Sequence, residues 1–332
     1  MKLIKPTYFD TFCCIAGACP DSCCKEWDVL VDSEKAAFYR ALPGALGNRL
    51  RQVLKDEGGD VYMTIENRCC PMWRDDGLCQ IQAELGEDAL CKTCREFPRL
   101  THDYGNFMEC GLELSCPEAA RIILSTPEPE YMILEVSGGD EPEYDAANMR
   151  ILLRSRETAW AILADTSRSV GETLALLLLY AYRVQSELNS AEVSAGFDAD
   201  ALLEHAKKYA QPGNSQEILN YFTELEILTP EWAARLSTPS PVPWDDRYRT
   251  LARYFVDRYW LQTISDFDLV GRVKFALLSC ILVRLLGGSF IETAQAYSKE
   301  IENSIENVEA ILDATFEESF LADVRLFGQL LL

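Results

Sequence analysis

Cysteine is the residue type in this sequence with the clearest capacity for chemistry. The chain has 332 residues and 13 cysteines, and all but Cys280 lie between Cys13 and Cys116. Five of them fall in one stretch, CCIAGACPDSCC at positions 13–24. Adjacent cysteines cannot readily bridge one another without strain, and the odd total also disfavours a disulfide scaffold. The concentration therefore predicts a metal or iron–sulfur site in a reducing compartment.

The spacing of these cysteines suits ligation from several segments of the chain. The first cluster reads C-C-x4-C-x3-C-C, and a later one is Cys91-x2-Cys94. Short spacings let one loop donate two ligands, whereas long gaps let a metal join separate segments. Four thiolates suit Zn²⁺ or an iron–sulfur cluster because sulfur is a soft, anionic ligand. His102 is the histidine in this region, and we do not expect it to be a ligand.

Three segments carry a resemblance to a known family. They are residues 12–27 (FCCIAGACPDSCCKEW), 70–99 (CPMWRDDGLCQIQAELGEDALCKTCREFPR) and 114–118 (LSCPE). In this order they resemble the flagellin lysine-N-methylase family. The same cysteine pattern is also similar to a broader group of small zinc- or iron-chelating cysteine proteins.

The resemblance divides the cysteines into two sets. Four lie off the family's motif, and these extra cysteines either build an additional metal site beside the first or have no metal role. The extra cysteines are Cys13, Cys69, Cys91 and Cys110. Eight lie on the motif and are the expected metal ligands: Cys14, Cys19, Cys23, Cys24, Cys70, Cys79, Cys94 and Cys116.

The resemblance also implies an activity. It implies methyl transfer from S-adenosylmethionine to lysine amines of a protein, flagellin in the family, with an iron–sulfur cluster at the site. The cluster would be of the 4Fe–4S type, with zinc as the alternative. The sequence has no G-x-G-x-x-G turn of the dinucleotide-binding kind. Cys19-x3-Cys23-Cys24 misses the C-x3-C-x2-C spacing of radical enzymes by one residue.

Four further residues are candidates for the reaction. A substrate lysine, with an ordinary pKa of ~10.4, must lose a proton before it attacks, and Glu118 and Tyr8 are the candidate proton acceptors. Their simpler roles would be an acid in a first helical turn and a packing aromatic. Trp27 and Arg99 are the candidates for binding S-adenosylmethionine, by stacking on a cation and by holding a carboxylate. Otherwise Trp27 would shield the metal and Arg99 would neutralise cluster charge.

The elements that must position these residues are predicted to be mainly α-helical. Residues 1–124 are predicted to form an irregular, cysteine-rich, metal-binding N-terminal module, and residues 125–146 a connector with one short strand. Residues 147–332 are predicted to form an all-helical domain, because apolar residues recur there at three- and four-residue spacing. FALLSCILVRLL at 275–286 is apolar on nearly all sides, which predicts a central buried helix with Cys280 as an inert core thiol.

Charge and hydropathy limit the partners. The chain has 31 Lys+Arg against 53 Asp+Glu and a net charge of −22, so nucleic acid is not an expected partner. The N-terminus lacks the apolar core of a signal peptide, and the longest apolar runs fall short of the ~20 residues that cross a bilayer. We therefore expect a cytoplasmic protein without a membrane partner.

Two functions follow as alternatives. In the first, the partner is a protein substrate that presents lysines, and the chain is a methyltransferase. In the second, the chain is a non-catalytic zinc- or iron-binding interaction protein, in which the metal only stabilises the N-terminal module.

Overall fold

The computed structural model describes residues 1–190 and 196–332. The chain is mostly helical, which confirms the predicted class, but the N-terminal module contains two small β-sheets where an irregular structure was predicted. The strands are β1 (Lys2–Pro6), β2 (Val29–Val31), β3 (Leu54–Glu57), β4 (Asp60–Met63), β5 (Arg99–Asp103), β6 (Phe107–Leu112) and β7 (Tyr131–Glu135).

The first sheet joins both ends of the N-terminal module to the predicted connector. Its strand order is β5-β6-β1-β7, with β1 parallel to β6 and antiparallel to β7. Ile4 of β1 is in register with Glu109 on one side and with Ile133 on the other. The single strand predicted for the connector is thus confirmed as β7. The boundaries of the three segments stay predictions.

The second sheet and a separate hydrophobic cluster lie deeper in the module. This sheet has the order β2-β4-β3 and is antiparallel throughout. Tyr39 and Leu50 are fully buried beside it, and Tyr39 donates a hydrogen bond to the Ala89 carbonyl at 2.7 Å. Five α-helices accompany the two sheets: α1 (Ser33–Ala41), α2 (Gly44–Val53), α3 (Gln80–Leu85), α4 (Lys92–Glu96) and α5 (Pro117–Leu124).

Two of the strands were missed because their sequences carry many charges. β3 reads LKDE and β5 reads RLTHD, and neither resembles a buried strand by composition. In β5 the exposed residues alternate with half-buried ones, which is the two-residue period of a strand with one solvated face.

The helical domain packs around one long buried helix. This helix, α13 (Leu269–Leu286), is buried along nearly its whole length and Cys280 is inaccessible to solvent, as predicted. Gly287 ends this helix with φ of 63°, and a side chain there would meet the Ser240 carbonyl.

Among the described residues, no helix is both long and apolar enough to span a bilayer. The α-helices are α6 (Ala146–Ala164), α7 (Val170–Ser190), α8 (Ala199–Tyr209), α9 (Ser215–Glu224), α10 (Pro230–Ser237), α11 (Arg247–Tyr259), α12 (Thr263–Asp266), α13 (Leu269–Leu286), α14 (Phe290–Tyr297), α15 (Ile305–Glu317) and α16 (Asp323–Leu331), and a π-helix (Ser298–Glu302) follows α14.

Candidate functional site

Four thiols come together where the N-terminal module meets the helical domain. We call Cys14, Cys19, Cys23 and Cys116 the interface thiols. Burial, with a smaller like-charge effect of the Cys19 and Cys14 thiols, raises the pKa of Cys116 to about 11. The hydrogen bond with Cys24 and burial raise the pKa of Cys23, and Cys14 and Cys116 add smaller like-charge effects. Cys116 packs against the core of the helical domain, whereas Cys14 and Cys23 are exposed.

Five other thiols come together inside the module. We call Cys24, Cys70, Cys79, Cys91 and Cys94 the core thiols. Burial, with smaller like-charge effects of Cys24, Cys79 and Cys91, raises the pKa of Cys70 to about 12. The hydrogen bond with Cys91 and burial raise the pKa of Cys94, and the Cys91, Cys24 and Cys70 thiols add like-charge effects. Cys70 and Cys91 are buried in the hydrophobic cluster of the module, and the Cys70 N–H donates to the Cys24 carbonyl at 2.7 Å.

Two thiol pairs favour the ionised form of one member. A hydrogen bond from Cys23 lowers the pKa of Cys24 to about 7, so this pair also links the two groups of thiols along the chain. A hydrogen bond from Cys94 lowers the pKa of Cys91. Because the thiolate is the form that binds metal, such pairs favour ligation.

Thiolate is a donor type that suits zinc or an iron–sulfur cluster. All thirteen cysteines are free thiols. Within residues 1–190 and 196–332, no group of three or more His, Cys, Asp and Glu side chains is placed so that it could hold a metal ion. Metal binding therefore stays a prediction, supported by the number of cysteines and by the suitability of thiolate as a ligand.

The four extra cysteines are spread over separate parts of the module. Cys91 lies with the core thiols, although it is off the family motif. Cys13 is exposed and contacts the Cys14 carbonyl at 3.8 Å. Cys69 forms a β-bridge with Glu66, and Cys110 lies on β6, 3.6 Å from the Thr101 hydroxyl. A second site would therefore use Cys91 together with motif cysteines.

Trp27 and Arg99, the two residues predicted to bind S-adenosylmethionine, both pack on aromatic rings. Trp27 donates its indole N–H to the Cys23 carbonyl at 3.1 Å and packs on Phe97, so it covers the cysteine loop. The Arg99 guanidinium lies over Phe12 at 5.1 Å and over Phe9 at 6.0 Å. Both predicted roles in binding S-adenosylmethionine stay predictions.

A cavity of about 60 Å³, partly open to solvent, lies between the first sheet and the helical domain. The Leu114 N–H donates to the Tyr254 hydroxyl on its wall at 3.5 Å. Leu114 precedes Cys116 by two residues, so one segment joins the cavity to the interface thiols. The polar lining includes Tyr8, His102, Glu109, Tyr131, Arg156 and Asp257.

Asp257 is the carboxylate on this wall that the sequence reasoning missed. It accepts hydrogen bonds from Trp160 Nε1 at 2.7 Å, Tyr131 Oη at 2.8 Å and Arg253 Nε at 3.0 Å. Burial raises the pKa of Asp257, against the opposing effect of Arg253 and Arg156. The sequence feature that could have drawn attention to Asp257 is Arg253, which lies four residues earlier and therefore on the same face of the helix.

The two predicted proton acceptors lie in different settings. Tyr8 is on the cavity wall, where burial and then the Asp257 charge raise its pKa, so it is a neutral phenol at pH 7. Glu118 is in the first turn of α5 and forms two hydrogen bonds with Arg121, at 2.9 and 2.6 Å. Arg121 lowers the pKa of Glu118. This placement favours the simpler role predicted for Glu118.

Comparison with known proteins decides the family. Over 135 residues the chain is 34% identical to the flagellar biosynthetic protein FliU of Salmonella muenchen, an alignment that covers 39% of this chain and 80% of FliU. The chain belongs to the FliU family. It is also 33% identical over 135 residues to lysine-N-methylases of Salmonella typhimurium and Salmonella choleraesuis. No model of a known protein family and no solved structure matches the chain.

Membership of the FliU family confirms the predicted resemblance in part. The chain matches proteins that carry the name lysine-N-methylase, at 33% identity over 39% of its own length. It spans about a third of the length of those lysine-N-methylases, 34% in each. Their activity is therefore a proposal for this member of the FliU family.

Proposed function

We propose that this chain is an S-adenosylmethionine-dependent protein lysine N-methyltransferase that acts on flagellin or a similar protein and uses a cysteine-ligated iron–sulfur cluster. The observation that carries the proposal is the 33% identity to two proteins named lysine-N-methylase. The name of FliU adds a connection with flagellar biosynthesis. A net charge of −22 also suits a partner that presents lysines.

The interface thiols are the better candidates to hold the catalytic cluster. Cys14 and Cys23 are exposed and Cys19 and Cys116 half-buried, whereas Cys70 and Cys91 are buried in the hydrophobic cluster of the module. A bound iron–sulfur cluster would supply an open coordination position for the amino and carboxylate groups of S-adenosylmethionine. The chain itself would supply the thiolates, and Leu114, two residues before Cys116, bonds to the cavity wall.

The cavity supports the binding and deprotonation of a lysine side chain. Tyr8 and Tyr131 offer aromatic surface to its aliphatic stem, and Asp257 offers a carboxylate to its ammonium. Asp257 accepts the ammonium proton, directly or through water. The neutral amine then bonds to the methyl carbon as the bond from that carbon to sulfur breaks, and S-adenosylhomocysteine leaves. A raised pKa suits Asp257 to this task, because a proton acceptor works best when its pKa is close to the working pH.

Transfer of a labelled methyl group tests the proposal. The full chain, reconstituted anaerobically with iron and sulfide, is incubated with methyl-labelled S-adenosylmethionine and flagellin. We expect label on flagellin lysines and a brown protein that absorbs near ~400 nm. Cys116→Ser should abolish transfer. The matched control Cys280→Ala, which changes a thiol in the core of the helical domain, should retain it.

Two outcomes would contradict the proposal. A cluster-loaded preparation that moves no label to flagellin, or to other proteins of its own cell, would exclude the methyltransferase function under these conditions. A colourless protein that holds zinc alone and transfers nothing would support the alternative, a non-catalytic metal-binding interaction protein.

A further inference from the structure

One side chain of the helical domain bonds to both segments that carry the interface thiols. Gln295 Nε2 on α14 donates to Asp21 Oδ2 at 2.9 Å and to the Ser115 carbonyl at 2.8 Å. Asp21 lies between Cys19 and Cys23, and Ser115 directly precedes Cys116. A single amide therefore holds the cysteine loop next to Cys116.

A buried ammonium strengthens the same connection. Lys299, in the π-helix after α14, places Nζ 2.7 Å from Asp21 Oδ1 and is 5% exposed. Its ammonium also lies 5.2 Å from the centre of the Trp27 ring, beyond the other end of the cysteine loop. Lys299 follows Gln295 by four residues, so both side chains can reach Asp21 from one side of the helix. Departures from regular α-helix of this kind often occur at functional sites.

The cost of burying this charge argues for a positioning role. Lys299 is 5% exposed whereas Asp21 is 31% exposed. Removing the ammonium from water offsets part of its attraction to the carboxylate, so this ion pair is weak evidence for stability. Such pairs can instead select one arrangement among several. Here the selected arrangement sets Cys19 and Cys23 opposite Cys116. The core thiols have their own anchors inside the module, such as the bond from Cys70 N to the Cys24 carbonyl.

We propose that Gln295 and Lys299 are positioning residues for the interface thiols. They hold the loop of Cys14, Cys19 and Cys23 against Cys116, so that the four thiols face one metal ion or cluster. The helical domain thus completes this site, while the core thiols are arranged without it. The purpose of the arrangement rests on the proposed metal-dependent function, but the arrangement itself can be tested on metal-free protein.

Thiol labelling of the reduced, metal-free full chain tests the arrangement. A limiting amount of a maleimide is added, and labelling at each cysteine is read by peptide mass spectrometry. In Lys299→Met and Gln295→Leu we expect half-buried Cys19 and Cys116 to react about tenfold faster or more, because a broken buried contact opens locally. Cys70 and Cys91 should react as in the unaltered chain.

Two variants keep the result interpretable. The control Lys207→Met removes a lysine that pairs with Glu172 and Glu204 at the surface, and should leave the labelling of Cys19 and Cys116 unchanged. The double variant Asp21→Asn/Lys299→Met removes both charges, so it folds even if Lys299→Met does not, and should show the same acceleration. Unchanged rates at Cys19 and Cys116, or equal acceleration at Cys70 and Cys91, would overturn the proposal.

A metal measurement separates this inference from the proposed function. After reconstitution, Lys299→Met should lose as much iron per chain as Cys116→Ser does, and retain what the core thiols hold. If the unaltered chain takes up no iron, the proposal of an iron–sulfur cofactor is wrong. The labelling result still tests the positioning role of Gln295 and Lys299 in that case.

Discussion

Arg156 on α6 and Glu109 on β6 form a buried ion pair with two hydrogen bonds, of 2.7 and 2.6 Å, on the wall of the cavity. Their side chains are 8% and 12% exposed. The Arg156 guanidinium also lies 4.9 Å from the centre of the Trp160 ring. This pair fixes the first sheet against the helical domain, and the cavity between them depends on that contact.

Removing one member of this pair should be costly. Glu109→Gln removes the hydrogen-bonded counter-charge of a buried guanidinium and leaves it the weaker electrostatic effect of Asp257, and we expect the free energy of unfolding to fall by about 3 kcal/mol. Glu109→Met/Arg156→Met should cost less than the sum of the single changes, since neither charge is left alone. Urea denaturation measures each value. A cost below about 1 kcal/mol for Glu109→Gln would show that the charge is solvated or paired elsewhere.

The position of Cys91 among the core thiols gives a prediction for metal content, although Cys91 lies off the family motif. Cys91→Ser should reduce bound metal as much as Cys94→Ser does, because the two thiols share a hydrogen bond within one group. Cys13→Ser and Cys110→Ser should retain the metal content of the unaltered chain. Elemental analysis of reconstituted protein measures this. Equal metal loss in Cys13→Ser and Cys110→Ser would instead support an additional site built from the four extra cysteines.

Proton acceptance distinguishes Asp257 from Glu118. Asp257→Asn should lower kcat for methyl transfer by about a hundredfold or more, the usual effect of losing a general base. Glu118→Gln should leave kcat unchanged, because Glu118 is held by Arg121 in the first turn of α5. Both are measured with labelled S-adenosylmethionine at saturating substrate.

A control separates chemistry from folding in this comparison. Tyr131→Phe removes one hydrogen bond to Asp257 and keeps its carboxylate, so it should reduce kcat far less than Asp257→Asn at a similar melting temperature. If Glu118→Gln reduced kcat as strongly as Asp257→Asn, the assignment of the proton acceptor would be wrong.

The features that can be predicted from the sequence are those that depend on neighbouring residues in the chain. The apolar run around Cys280 specifies a buried helix whatever surrounds it, and α13 is that helix. Thr229 caps α10 by accepting a hydrogen bond from the Trp232 N–H. A threonine directly before a proline at the first helical position is a local sequence feature that predicts such a cap. The concentration of cysteines in residues 13–116 likewise indicates ligation from residue type and spacing alone.

The grouping of residues distant in the chain could not be read from the sequence. Cys23 and Cys24 are neighbours that hydrogen-bond one another, yet they interact with different further thiols: Cys14 and Cys116 act on Cys23, whereas Cys24 acts on Cys70 and Cys94. Asp257 reaches the cavity because α11 packs on the first sheet, and Lys299 meets Asp21 across 278 positions. Tertiary packing determines these contacts, and the spacing of residues along the chain does not predict them.

Glu172 gives a prediction for the effect of pH on stability. It forms a reciprocal cap with Ser169 at the start of α7, and its carboxylate lies 2.9 Å from Lys207 Nζ. Lys207, then Ser169, lower the pKa of Glu172 to about 2. A lowered pKa in the folded state means that the stabilising contribution is present above the ordinary pKa of ~4.3 and is lost as the pH falls toward 2.

Glu172→Gln removes this contribution while keeping a side chain that can cap the helix. At pH 7 we expect the variant to be less stable than the unaltered chain by about 1 kcal/mol, after allowance for solvent screening. The difference should shrink between pH 5 and pH 3, because in this range the unfolded state of the unaltered chain binds a proton at Glu172 while the folded state does not, which favours its unfolding. Urea denaturation of metal-free protein at pH 7, 5 and 3 measures the difference. A difference that stayed constant across this range would show that the loss comes from packing or hydrogen bonding and not from the charge of Glu172.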